Sequence, residues 1–294
     1  MSPAKTAPGS AVTQASVALL RDYSLEITAR DSDQLEEAAP FIPPGTGISI
    51  TFLPSEDFSS RIDAAVNVRR LGFVPIPHIP ARRLKSAAEL DHFLDRLATE
   101  AAVDRVFVIA GDTGAPNGPF EDALGLIRTG SLARYGVVHV GIAGYPEGHP
   151  AIDSGKLWQA LIDKSRLLGE LGHEYSIVTQ FGFDAAPLLE WAATLRSKGV
   201  HVPLRAGIAG PTNVKTLLRF AARCGVGAST KVLAKYGISI TRLFGTSDPG
   251  ALVADLAEQI RPDVHGDLRL HVYPFGGLAK SASWMADFKL PQGN

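Results

Sequence analysis

The sequence predicts an α/β protein folded as a single-domain (β/α)8 barrel, on three observations. Eight short apolar runs rich in β-branched residues recur along the 294 residues. The segments between them carry helical spacing and helix start signals, and strands alternating with helices make βαβ units and a parallel sheet. Eight such strands in a chain of this length favour a closed barrel, with an open doubly wound sheet as the alternative.

In order, the runs are YSLEITA (23–29), GISITFL (47–53), FVPIPHIP (73–80), RVFVIAG (105–111), VVHVGIAG (137–144), YSIVTQF (175–181), VPLRAGIAG (202–210) and LRLHVYPF (268–275). Ser86 and Glu89 form a capping box that opens KSAAELDHFLDRLATEA. Asp184 opens DAAPLLEWAATLRSKG, and Gly199 ends that helix as a C-terminal cap. The interval between strands seven and eight is longer than the others and reads as one extra helix inserted in the crossover. Residues 1–15 are dominated by Pro, Gly, Ser, Thr and Ala and read as a flexible N-terminal tail, which leaves 16–294 as the barrel domain.

Lys plus Arg (29) nearly cancels Asp plus Glu (30), so no net field draws the chain to nucleic acid or to an anionic membrane surface. No stretch approaches the ~20 apolar residues of a membrane span, and the N-terminus lacks the pattern of a signal peptide. The single cysteine, Cys224, excludes an internal disulfide and any multi-cysteine metal site, which suits a reducing cytoplasm. Lying in LLRFAARCGV, at the end of an amphipathic pattern, it reads as a small buried hydrophobe. These features point to a soluble, cytoplasmic protein whose partner is a small molecule. Trp158, Trp191 and Trp284 read as buried in the helix layer, and homo-oligomerisation stays open.

A barrel of this kind carries its site at the C-terminal ends of the strands. The polar residues there are Glu26, Thr51, His78, Asp112, Tyr145 with Glu147 and His149, Gln180 and Tyr273. Glu26, between Leu25 and Ile27, either faces solvent or Arg30, or points into a polar cavity, where a partly desolvated carboxylic acid can give a proton near neutral pH. Gly111 and Asp112 open the loop of IAGDTGAPNGP, whose spacing fits neither a dinucleotide fingerprint nor a P-loop. Asp112 either caps that loop or accepts a ring N–H from a heterocycle. His78 and His149 stand on different strands without a compact ligand spacing, so no metal is assigned, and no GxSxG elbow supports a serine nucleophile. Gln180 belongs either to a core polar network or to a fork reading an amide edge.

With these exits in order, the chain resembles the methylenetetrahydrofolate reductase family through SLEI, SITF, PHIP, AGD, GYPEGHP, IVTQFGFD and, more weakly, LHVYPF. The resemblance implies a flavin enzyme on a (β/α)8 barrel that passes a hydride from NADH or NADPH through FAD, interconverting methylene- and methyltetrahydrofolate. It makes Glu26 the acid that protonates the folate, and Thr51, His78, Gly111, Asp112, Tyr145 and His149 contacts of FAD. Lys164 corresponds to a contact of the FAD phosphates, and Gln180 and Tyr273 to the folate side. Glu147 is left to brace its loop. The chain departs from the family at Ala110, where an Arg usually precedes Gly-Asp, in the thinned basic set of SGKLWQALIDKSRLLGELG, and at YPFGG, which lacks an Arg expected near the folate tail. The thinned set leaves a flavin-free reductase as an alternative, and the lost arginines leave a redox-inactive folate-binding protein.

Overall fold

The computed structural model describes residues 19–53, 56–213, 216 and 249–288. Eight parallel strands close into a (β/α)8 (TIM) barrel: β1 (Ser24–Ile27), β2 (Gly47–Ile50), β3 (Val74–Pro80), β4 (Arg105–Ile109), β5 (His139–Gly144), β6 (Glu174–Gly182), β7 (Leu204–Ala209) and β8 (Leu268–Tyr273). β8 pairs back onto β1 through Ser24 opposite His271 and Leu25 opposite Val272. Each apolar run of the sequence holds one of these strands.

The described helices are α1 (Gln34–Ala38), α2 (Phe58–Arg70), α3 (Ala87–Ala101), α4 (Ala123–Ile127), α5 (Ser131–Arg134), α6 (Ser154–Glu170), α7 (Ala185–Ser197), α8 (Gly250–Gln259), α9 (Pro262–His265) and α10 (Leu278–Asp287). Their start signals act as the sequence predicts. The Ser86 side chain accepts the Glu89 N–H while a Glu89 carboxylate oxygen accepts the Lys85 N–H, and Asp184 accepts the Ala186 N–H. Gly199 follows α7 with φ +81°, a conformation that L side chains rarely adopt. Between β7 and β8 the structure describes α8 and α9. The predicted inserted helix around TNVKTLLRFAARCG with Cys224, and the predicted tail at 1–15, lie outside the described residues.

Strand alternation sorts the side chains into two layers. Leu25 and Ile27, Ile48 and Ile50, and Leu270 and Val272 are all buried at 0–2% exposure and pack in the core with helix residues such as Ile62, Leu90 and Leu94. The alternate positions, among them Ser24, Glu26, Ser49, His78 and His271, share the opposite face and fill the barrel interior. The interior is polar around β1 and β8 and carries Ile76 and Phe107 on β3 and β4, and the main apolar core lies between sheet and helices. Gly141 makes room inside this layer, since a Cβ there would stand 2.5 Å from the Phe107 ring.

β6 is irregular at the point that matters for the mouth. Its register against β7 shifts between Val178 and Phe181, which sets Thr179 and Gln180 in a bulge. The Thr179 hydroxyl accepts the Gly207 N–H and donates to the Gln180 carbonyl, both at 2.8 Å. Gly207 is obligatory at this crossing, because a Cβ would lie 2.6 Å from the carbonyl oxygens of Thr179 and Gln180.

Candidate functional site

The bulge and the strand ends bring a carboxylate and two imidazoles together inside the barrel. The Glu26 Oε2 lies 3.5 Å from His78 Nε2 and 3.7 Å from His271 Nε2, with the Glu26 side chain 17% exposed. Glu26 points inward from β1 toward His78 and His271, as the cavity reading requires. Burial presses the His78 imidazole down to about 4; the Glu26 carboxylate opposes this, while His271 and Arg61 add to it. His78 is thus neutral near pH 7, and its ring leans on Phe107 with centroids 4.6 Å apart.

Behind His78 stands a buried cation. Arg61, 1% exposed on α2, donates to the His78 carbonyl at 3.1 Å and lies 4.6–4.9 Å from the ring centroids of Phe52, Phe58 and Phe93. Burial lowers its pKa to about 10, so it stays charged and the aromatic faces take the place of lost hydration. The end of β3 is pinned as a result.

The GYPEGHP exit forms a turn in which the Gly148 N–H donates to the Tyr145 carbonyl at 3.1 Å and Gly148 takes φ +80°. The Tyr145 and His149 rings meet edge to face at 5.6 Å, and His149 Nδ1 accepts the Ala151 N–H. Burial raises the Tyr145 pKa, which keeps its hydroxyl protonated. Glu147 faces the next strand end: a Cβ on Gly182 would stand 3.2 Å from its carboxylate, and burial, with Asp184 adding to it, raises its pKa. Glu147, Asp184 and Gln180 line a small pocket together with Leu188, Leu252 and Leu256. Tyr273 sends its hydroxyl to the Thr179 carbonyl at 2.9 Å and stacks with Phe275, so it supports the bulge that presents Gln180. Thr51, just past β2, donates its N–H to the Ile27 carbonyl.

Three predicted site residues stand apart from the Glu26 cluster. Gly111 takes φ +93° in the β4 exit loop, which Arg82 holds by donating to the carbonyls of Thr113 and Glu121. Asp112 pairs with Arg83 at 2.6 Å and is 72% exposed. Lys164 lies in the third turn of α6, within the helix layer, where burial brings its pKa down to about 8 against the pull of Asp122. The N-terminus of that helix is capped by Asp153, which accepts the N–H groups of Gly155 and Lys156.

Reading strand exits alone misses His271 and Ser24, one residue pair below the mouth. In LRLHVY, Arg269, His271 and Tyr273 alternate on the face that Ser24 and Glu26 share, which only the closure of β8 onto β1 makes apparent. Arg61 and Arg83 carried no local signal, since the sequence does not tell which arginines turn inward.

A closed parallel barrel whose strand ends converge on an acid flanked by two imidazoles defines the class: a (β/α)8 protein with a polar site at its C-terminal mouth. The family model for methylenetetrahydrofolate reductase matches residues 41–239, well over half of the chain, and the chain belongs to that family of folate-linked oxidoreductases. The match includes His78, Tyr145, His149 and Gln180, while Glu26, His271 and Tyr273 lie outside it. Among the described residues no helix is long and apolar enough to cross a membrane.

Proposed function

We propose that the chain interconverts 5,10-methylenetetrahydrofolate and 5-methyltetrahydrofolate at the barrel mouth, with NADH or NADPH as electron partner and FAD between them. The observation that carries this reading is the shielded Glu26 carboxylate, set between His78 and His271 at the exits of β1, β3 and β8. Glu26 gives a proton to the folate as its methylene bridge opens, because an acid held partly out of water and fixed in place transfers a proton more readily than solvent does. Gln180, lifted by the β6 bulge, binds the amide edge of the pterin, and Tyr273 supports it.

Thr51, His78, Tyr145 and His149 would hold the ring end of FAD, since they carry a hydroxyl, imidazoles and a phenol at the exits of β2, β3 and β5. Bound there, FAD would supply a two-electron carrier that accepts a hydride and returns it. The chain's own contribution is to hold nicotinamide and folate in turn against one face and to keep water from the transfer.

A second reading, direct hydride transfer from NAD(P)H to the folate without flavin, is favoured by one observation. Two groups that the resemblance assigns to FAD are elsewhere engaged, since Asp112 pairs with Arg83 and Lys164 sits in the helix layer, and Asp153 places a carboxylate at the N-terminus of α6. An absorbance spectrum of the purified protein, alone and after addition of FAD, separates the two. The first reading expects flavin bands that bleach on anaerobic addition of NADH or NADPH; a colourless protein that takes up no FAD and still reduces the folate supports the second.

A further inference from the structure

His271 is 1% exposed and reaches neither the mouth nor solvent, yet both of its ring nitrogens face polar groups. Its Nδ1 lies 2.8 Å from Ser24 Oγ, and its Nε2 is aimed at Glu26 Oε2 from 3.7 Å with no hydrogen-bond partner among the described residues. A neutral imidazole has one N–H and one lone pair, so the Ser24 contact decides what Glu26 meets. If the Ser24 hydroxyl donates to Nδ1, then Nε2 carries the hydrogen and turns an N–H dipole toward the carboxylate. The opposite tautomer sets a lone pair against the carboxylate, which is repulsive while the acid is ionised. Ser24 and His271 are direct partners across the β1–β8 seam, so their geometry is fixed by the closure of the barrel itself.

We propose that His271, locked by Ser24 as the Nε2–H tautomer, is a positioning residue that holds the Glu26 carboxyl toward the mouth and stabilises the carboxylate left after proton transfer. Three strands set side chains beside Glu26. His78 approaches from β3 and His271 from β8, β2 sets the uncharged Ser49 beside it, and Arg61 acts from behind His78. His78 shares the same carboxylate oxygen but has its backbone fixed by Arg61, whereas the His271 ring is held by the Ser24 hydroxyl and an edge contact with Tyr273 at 4.7 Å. The inference deepens the function proposed above and rests on Glu26 being its proton donor; its geometry can be tested without turnover.

The test uses the full chain in two steps. Long-range 1H–15N correlation of the unsubstituted protein reads the His271 tautomer, assigned by the signal lost in His271→Phe; protonated Nε2 with bare Nδ1 is expected, and protonated Nδ1 overturns the proposal. Titration of 13C-labelled glutamate carboxyls, with Glu26 assigned from Glu26→Gln, then reads the acid directly. Its midpoint is expected to rise by about one pH unit in His271→Phe, as expected when a donor to the charged form is removed, and by a smaller amount in Ser24→Ala. His139→Phe, at the far end of the barrel, leaves it in place. An unchanged or lowered midpoint in Ser24→Ala and His271→Phe overturns the role. Should the protein prove inactive on folate while these shifts appear, the functional reading fails and the positioning stands; active protein without the shifts gives the reverse.

Discussion

The two ends of the barrel interior use charge in opposite ways. At the N-terminal end, Arg205 and Arg269 both reach Asp22, Arg269 also pairs with Asp267 at 2.7 Å, and Arg105 faces Asp104 at 3.9 Å. Every cation there has an anion beside it, and Arg205 additionally donates to the Asp22 carbonyl at 2.6 Å. At the C-terminal end the Glu26 carboxylate meets two imidazoles, one of them held neutral by burial, and the Asp112–Arg83 pair lies in the β4 exit loop. Mutual neutralisation closes the bottom of the barrel; at the top the interior acid faces imidazole rings. The difference separates what holds the fold from what can do chemistry.

The largest effect should come from breaking the mouth. Glu26→Gln keeps shape and removes the transferable proton, so folate turnover should fall by about 10²–10⁴, the usual contribution of a general acid, with the thermal midpoint unchanged. Comparable turnover in the two proteins, measured as methyltetrahydrofolate formed, would remove Glu26 from the mechanism.

Next comes the scaffold that presents the mouth. Gly207→Ala forces a methyl against the Thr179 and Gln180 carbonyls, and overpacking of that kind should cost about 2 kcal/mol or more. Denaturant unfolding measures it, and a loss under about 0.5 kcal/mol would show that the bulge yields easily.

Acid should sharpen the comparison, because each end buries a neutral histidine. Burial lowers both His78 and His139 to about 4, with Arg105 and Arg205 adding to the effect on His139. The unfolded chain binds these protons near 6.5 and the folded chain does not, so stability is full above about 6.5 and falls as pH drops toward 4, by up to about 3 kcal/mol per histidine. His139→Asn should flatten part of that acid limb and leave folate turnover intact; an unaltered limb in urea titrations at pH 4–7 would show that His139 contributes nothing to it.

The smallest effect belongs to the paired bottom. Arg269→Ala removes partly exposed pairs and should cost only about 0.5–1 kcal/mol, with turnover unchanged. A tenfold loss of activity would mean that the bottom charges act on the mouth.

The barrel was legible because periodicity survives in the sequence: β-branched runs mark each strand, and Ser86, Asp184 and Gly199 punctuate the helices as read. Glu26, His78, Tyr145 and Gln180 were legible as polar residues at strand ends. His271 and Ser24 were not, since they look like ordinary strand residues until barrel closure places them 2.8 Å apart across 247 residues of chain. The pairing of Arg83 with Asp112 was hidden for the same reason: it depends on how two loops meet, which local pattern does not encode.

The most direct measurement of the central claim is anaerobic incubation of the purified protein with methylenetetrahydrofolate and NADH or NADPH, with both products quantified, in the presence and absence of added FAD. The mouth described here predicts methyltetrahydrofolate formed one for one with oxidised nicotinamide. Tight folate binding with no nicotinamide oxidised under either condition would contradict it and leave a binding protein on a reductase fold.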